Sequence, residues 1–316
     1  RGFYFIKNKI NPREMNFSEY LGWETTPNVF SKAIYGAYGE IIYSTDKFGF
    51  RVFGDTKTKK FKIFVIGDSF TMGHTVSDGN TFYDYLKENN NNIELFAYGG
   101  GGYGSLQEYM ILDKYYDMIK PDIILWQFNS NDIINNDYEL ESTSYSNNNH
   151  MTRPYYNNGQ IEWLYPKQDD GWIGNLFQSS YLFRLLNIRG NIFKVKNSGS
   201  IEDELSENHP LFIRSANITS EIMGLVRKKI GDTQIVAFST DTEKYLGNTF
   251  SNICEKYGIY YINGIPEQVK KAKDSGVRLD AHPDRNDVGH WNNIGHYMVG
   301  EIILEHLMKW DLLITK

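Results

Sequence analysis

The feature that most constrains this fold is a series of five short apolar runs. They lie at residues 62–66, 93–98, 122–128, 233–240 and 258–263. Each run is rich in β-branched and aromatic residues, and such continuous runs are typical of strands buried on both faces. Helical spacing recurs between the runs, at residues 81–90 and 105–120, and again after the last run, at residues 293–310. The alternation predicts a parallel sheet with helices on both faces, which is a three-layer αβα fold of the α/β class.

Polar and glycine-rich segments follow the first three runs, at the sheet edge where α/β proteins bind ligands. Ser69 follows the first run, and the tight turn at Gly67 would expose it beside backbone N–H groups that can stabilise an oxyanion. Residues 99–102 are all glycine, which lets a backbone N–H approach a ligand closely. Residues 129–132 read NSND, and the Asn131 amide could face developing negative charge. Taken singly, the first segment is better explained as a helix cap and the second as a flexible turn, and the third also fits an Asx-turn.

A fourth segment, residues 287–296, precedes the last helix. Asp287 and His290 are three residues apart, a spacing at which a carboxylate can orient an imidazole through Nδ1 while Nε2 faces a serine. We interpret His296, inside the helix, as a packing or hydrogen-bonding residue. We expect Asp132 to hold the loop after the third strand and to take no part in catalysis.

Together the four segments resemble the SGNH/GDSL hydrolase superfamily. GDSFTMG is similar to its first block, GGYGS to its second, NSND to its third and DVGH to its fourth, and HWN-x-x-GH is similar to the version in many bacterial and archaeal members. The third block begins with Asn129, where the family usually has glycine. The resemblance covers about residues 62–132 and 233–310. It implies a flavodoxin-like parallel sheet of about five strands.

The resemblance also implies an esterase mechanism that needs no cofactor and no metal. Ser69 would be the nucleophile, His290 its base, and Asp287 the residue that keeps His290 in the required tautomer. The N–H groups of Ser69 and Gly102 and the side chain of Asn131 would form the oxyanion hole. The family implies a small-molecule or glycan ester as substrate. The same triad would serve a glycan O-acetyltransferase, which differs only in the acceptor of the acyl group.

Two readings of other classes stay open. One is a non-catalytic carbohydrate-binding module on the same fold. The other is a zinc site, because five potential ligands crowd one segment, although zinc would leave the serine, glycine and asparagine blocks unexplained. These ligands are His282, Asp284, Asp287, His290 and His296.

Length and pattern divide the 316 residues into three parts. Residues 1–60 carry scattered aromatic residues with little periodicity, and we expect an extension packed on the core. We expect residues 61–316 to form the hydrolase domain that the resemblance implies. Within it, residues 134–210 break the alternation, and we interpret them as an insertion folded over the site face, with a helix at 179–193.

Charge and cysteine content exclude several classes of protein. The net charge of −6 argues against nucleic acid as the main partner, since phosphate binding needs clustered Lys and Arg. A single cysteine, Cys254, cannot form an internal disulfide. No apolar run approaches the ~20 residues of a membrane span. The start at Arg1 rather than Met leaves room for an upstream anchor, and with the family version it favours an exported or membrane-anchored protein over a cytoplasmic one.

Overall fold

A computed structural model describes residues 15–34, 40–144, 146–166, 201–241, 243–282 and 287–313, and of residues 33–34, 203, 282 and 287–289 it describes the backbone only. The strands are β1 (Met15–Ser18), β2 (Gly22–Thr25), β3 (Phe30–Ile34), β4 (Glu40–Ser44), β5 (Val52–Phe53), β6 (Phe61–Gly67), β7 (Ile93–Gly99), β8 (Ile123–Phe128), β9 (Arg153–Asn157), β10 (Gln160–Leu164), β11 (Gln234–Ser239), β12 (Tyr260–Ile262), β13 (Asp280–His282) and β14 (Asp287–Trp291). The helices are α1 (Ser69–Met72), α2 (Phe82–Asn89), α3 (Ser105–Ile119), α4 (Ser130–Asn135), α5 (Tyr138–Thr143), α6 (Ile201–Glu204), α7 (Pro210–Ile230), α8 (Lys244–Lys256), α9 (Ile265–Asp274) and α10 (Asn293–Lys309).

The central sheet has the order β12-β11-β8-β6-β7-β5. Its first five strands pair in parallel, and in chain order they give the 2-1-3-4-5 arrangement of flavodoxin-like sheets. The α/β class and the parallel sheet are therefore confirmed. All five predicted runs are strands, and their bounds move by one or two residues. In the strands β6, β7, β8 and β11 nearly every side chain is buried, which explains their continuous apolar sequence.

Helices cover both faces of the sheet, as a three-layer fold requires. On one face α3, α7 and α8 enclose a core that also receives aromatic side chains from the first 60 residues. On the other face α2, α9 and α10 enclose a second core. Each face of the sheet therefore has its own apolar layer, and together the two layers fix the position of the strand ends that carry the site.

The sheet gains a sixth strand that the sequence did not predict. The two-residue strand β5 pairs antiparallel with β7, through Val52 with Ala97 and Phe53 with Phe96. Two residues are too short for a periodic pattern, and pairing with a distant strand defines this one. Residues from the predicted extension thus complete one edge of the central sheet. The boundary at residue 60 stays a prediction.

The predicted insertion contains regular structure where the structure describes it. Helix α5 is followed by the hairpin of β9 and β10, which pairs Arg153 with Leu164 and Asn157 with Gln160. Gly159 lies in the turn that closes the hairpin. Its φ of +83° is in the left-handed region that glycine adopts without strain. The helix predicted at 179–193 lies outside the described residues. Across the described ranges, no helix combines the length and apolar character needed to cross a bilayer.

Substitution of Gly99 by alanine tests how closely the strand ends pack. A Cβ added there would lie 2.1 Å from the backbone nitrogen of Met72 and 2.6 Å from the carbonyl oxygen of Asp68. We expect Gly99→Ala to lower the free energy of unfolding by roughly 3 kcal/mol or more, because backbone atoms must move. The control is Gly247→Ala inside α8, where a Cβ meets no atom within 4 Å. It should stabilise the protein by ~0.5–1 kcal/mol. Equal effects in urea denaturation would contradict the close approach.

Candidate active site

Ser69 lies on a sharp turn at the carboxyl end of β6. It is the first residue of α1, and Asp68 caps that helix by accepting a hydrogen bond from the Phe70 N–H at 2.9 Å. The helix is one turn long and ends at Gly73, whose left-handed backbone brings its N–H to the Ser69 carbonyl at 3.0 Å. The first N–H groups of a helix have no partner within the helix and can bind an anion. The turn therefore leaves the Ser69 N–H without a partner inside α1.

Ser69 contacts His290 directly. His290 Nε2 lies 2.7 Å from Ser69 Oγ, although the two residues are 221 positions apart in the chain. The imidazole packs beside the rings of Phe70 and His74, each with its centroid 5.0 Å from that of His290. The predicted serine–histidine pair is thus brought together at hydrogen-bond distance.

The strand that carries His290 is held in place at the next residue, Trp291. β14 pairs with β13, and the Trp291 carbonyl accepts a hydrogen bond from the Thr75 hydroxyl at 3.0 Å. Asn292 then caps α10 by accepting from the Gly295 N–H at 3.0 Å. Asp287 lies on β14 three residues before His290, but its side chain lies outside the described residues. Its role stays a prediction.

The glycine run packs against the Ser69 turn. Gly99 ends β7 opposite Gly67 of β6, and the Gly100 N–H donates to the Gly67 carbonyl at 3.2 Å. Gly102, the predicted oxyanion residue, has a φ of +71° that only glycine adopts without strain. A Cβ there would also lie 2.6 Å from Oδ1 of Asn149. Asn149 belongs to the predicted insertion, so that segment reaches the glycine run.

Asn131 joins the same cluster. It is buried in α4, and its Nδ2 donates to the Tyr103 carbonyl at 2.8 Å. An amide nitrogen carries two hydrogens, so Nδ2 keeps one N–H besides the one that Tyr103 accepts. The four segments that the sequence singled out thus converge at one sheet edge.

Asn129 stands where the superfamily that the sequence resembles usually has glycine, and its backbone is unstrained. It has extended backbone angles, a φ of −144° and a ψ of 163°, which any residue can adopt. Its Oδ1 accepts from the Asn131 N–H at 3.1 Å, and its Nδ2 donates to the Thr240 hydroxyl at 2.6 Å. Asn129 therefore acts as the N-cap of α4, and in this way it fixes the start of the helix that carries Asn131.

Three carboxyl groups are buried next to the site, those of Asp68, Glu108 and Asp132. Burial raises the pKa of Asp68 to about 6. Burial, and then the charge of Asp132, raises the pKa of Glu108 well above its ordinary value. Asp132 accepts hydrogen bonds from the Asn129 N–H at 2.7 Å and the Ser105 hydroxyl at 2.9 Å, so it holds the loop as expected. Burial, and then the charge of Asp68, raises the pKa of Asp132 well above its ordinary value, and the hydrogen bonds from Asn129 and Ser105 act in the opposite direction.

The histidine in the last helix is structural, as predicted. His296 is buried, and its Nδ1 accepts a hydrogen bond from the Phe82 N–H at 3.3 Å. Burial lowers the pKa of His296 to about 3, so the ring stays neutral. Side chains of the proposed zinc ligands 282, 284 and 287 lie outside the described residues. Among the side chains that are described, no group of three or more His, Cys, Asp or Glu residues could hold a metal ion.

Sequence reasoning missed several residues that hold the site. The buried guanidinium of Arg51 donates to the carbonyls of Met72, Gly73 and Val76 at 2.7–2.8 Å and pairs with Asp78 at 2.7 Å. It thereby fixes the loop that follows α1. Arg51 lies outside the four motif segments, and the carbonyls that it binds are more than 20 positions away, so no local pattern indicates this role.

Comparisons with solved structures show proteins of similar architecture, whereas no family model and no curated protein matches the sequence. A lipase/acylhydrolase from Enterococcus faecalis has 11% identity and a TM-score of 0.45, covering 79% of this chain and 96% of its own. The esterase EstA from Pseudoalteromonas sp. has 11% identity and a TM-score of 0.44, covering 79% and 97%. At such values the function must be inferred from the geometry of the site itself.

The raised pKa of Asp68 gives stability a specific pH dependence. Between its ordinary value of 3.8 and about 6, the unfolded chain ionises this carboxyl while the folded protein keeps it protonated. Stability from Asp68 is therefore fully present below pH 3.8 and is lost as the pH rises through about 6, by on the order of 2–3 kcal/mol. Asp68→Asn keeps the cap but cannot ionise.

We therefore expect the stability of Asp68→Asn to rise relative to wild type between pH 4 and pH 7. Urea unfolding of both proteins at unit pH steps measures the difference. A difference that is constant over this range would show that Asp68 does not titrate in the folded protein as described.

Proposed function

We propose that this protein is a serine-dependent ester hydrolase that acts on acyl or acetyl esters. The observation that carries the proposal is the 2.7 Å contact between Ser69 Oγ and His290 Nε2. A serine is a poor nucleophile unless an adjacent base removes its proton, and this contact supplies that base. The site lies at the carboxyl edge of a parallel sheet, where α/β enzymes bind their substrates.

In the proposed first step, His290 takes the proton of Ser69 as the serine oxygen attacks the ester carbonyl. The resulting tetrahedral oxyanion would accept hydrogen bonds from the Ser69 N–H, the Gly102 N–H and the Asn131 amide. Among the described residues, neither the Ser69 nor the Gly102 N–H donates to a protein acceptor, which leaves both available. His290 then gives its proton to the leaving alcohol as the carbon–oxygen bond breaks, and an acyl-serine remains.

Water completes the proposed cycle. His290 removes a proton from a water molecule, the hydroxide attacks the acyl-serine, and the proton returns to Ser69 Oγ as the acid leaves. Asp287, which precedes His290 by three residues on β14, is proposed to hold the imidazole in the tautomer with a proton on Nδ1. A sugar hydroxyl in place of water would make the same residues an acetyltransferase.

The direct test is Ser69→Ala with p-nitrophenyl acetate and an acetylated polysaccharide as substrates. We expect kcat to fall at least ~10⁴-fold, because the nucleophile is lost. The control is Ser275→Ala, an exposed serine at the end of α9 whose hydroxyl donates to the Lys271 carbonyl at 2.9 Å. It should keep wild-type rates. Folding of both variants is checked by circular dichroism.

Three outcomes would change the conclusion. Equal hydrolysis by wild type and Ser69→Ala would contradict the proposal. Polysaccharide binding without ester cleavage by the wild type would favour the carbohydrate-binding module. Transfer of the acetyl group to an added sugar, with little free acetate, would favour the transferase.

A further inference from the structure

We propose that Trp23 is a positioning residue for the oxyanion hole, because it fixes the peptide group whose N–H belongs to Gly102. This inference rests on the proposed function. Trp23 lies on β2, in the segment that the sequence assigns to an extension, and its side chain is buried. No catalytic block of the sequence includes it.

The contact that supports this role is made to one carbonyl. The indole Nε1 of Trp23 donates to the Gly101 carbonyl at 2.9 Å. That carbonyl and the Gly102 N–H belong to the same peptide unit. Since the unit is planar and trans, its C=O and N–H point in opposite directions, and holding one end aims the other.

A second contact holds the next peptide along the chain. Asn149 Nδ2 donates to the Gly102 carbonyl at 3.3 Å. The Gly102 N–H thus lies between two carbonyls that are both held by side chains from outside the catalytic blocks. A glycine run has the freest backbone of any sequence, so an oxyanion donor within it needs such restraints.

The Trp23 ring is itself held firmly. The Arg153 guanidinium lies over the ring, 5.0 Å from its centroid, and the buried Glu141 pairs with Arg153 at 3.2 Å. The hydroxyl of Tyr103 donates to the Trp23 carbonyl at 2.8 Å, and the Tyr103 carbonyl accepts from Asn131. Trp23 is therefore linked to both the glycine and the asparagine of the proposed oxyanion hole.

Two variants test the role of the indole N–H. Trp23→Phe keeps an aromatic ring, and replacement of Trp23 by 3-benzothienylalanine keeps the full ring size, with sulfur in place of N–H. The second variant preserves the buried volume and so folds even where phenylalanine does not fill the site. Trp310→Phe is the control, at the end of α10 opposite to the site, where its ring packs on Tyr260.

The readout compares p-nitrophenyl acetate with its thiono analogue, in which C=S replaces C=O. Sulfur accepts hydrogen bonds poorly, so the thiono-ester gains little from an oxyanion hole. We expect both Trp23 variants to lower kcat for the oxygen ester about tenfold, a part of the ~10²–10³ that a whole donor supplies. KM and the thiono-ester rate should stay within twofold of wild type, and Trp310→Phe should change neither rate.

Failure of the inference and of the proposed function give different results. If the wild type hydrolyses the ester but the benzothienyl variant keeps kcat within twofold, Trp23 does not position the hole. A fall of both esters by the same factor also overturns the inference, because it indicates general loosening. If the wild type itself cleaves neither ester, the proposed function is wrong and the inference falls with it.

Discussion

The candidate site depends on how closely the ends of β6 and β7 approach each other. Gly67 and Gly99 pair across these strands, and a Cβ at Gly99 would lie 2.1 Å from the Met72 nitrogen. Because no side chain separates the strand ends, the one-turn helix that begins at Ser69 lies directly against the glycine run. A serine hydroxyl and free backbone N–H groups can then face the same volume, which is what acyl transfer requires.

A site built largely from backbone donors must be held through its carbonyls and its buried caps. Arg51 holds one carbonyl at the end of the Ser69 helix and two after it, and Trp23 holds one in the glycine run. Asn129 and Asp132 hold the start of the helix that carries Asn131. Parts of the chain outside the four motif segments thus serve as the rigid support of the site. Hydrogen-bond donors that are held in place in advance need not reorient as charge develops in the transition state. The contacts of these residues hold the donors of the site in this way.

The sequence predicts the central sheet well because buried parallel strands carry continuous apolar runs. The helices around the sheet are predicted equally well, because their apolar residues recur at helical spacing. It also predicts the serine–histidine contact, since strand ends gather at one edge. It could not predict the strand at Val52–Phe53 or the roles of Arg51 and Trp23, which depend on partners far away in the chain. The burial of Glu108 interrupts an amphipathic helix where the pattern offers no sign of a buried acid.

The central claim is that Ser69 is a nucleophile activated by His290. The most direct measurement is mass spectrometry of peptides after the protein reacts with a fluorophosphonate, which phosphonylates an activated serine and releases fluoride. We expect one adduct, on the peptide that contains Ser69, and its formation should slow strongly in His290→Ala. An unmodified Ser69 under conditions that label a control esterase, or an adduct on another residue, would contradict the account.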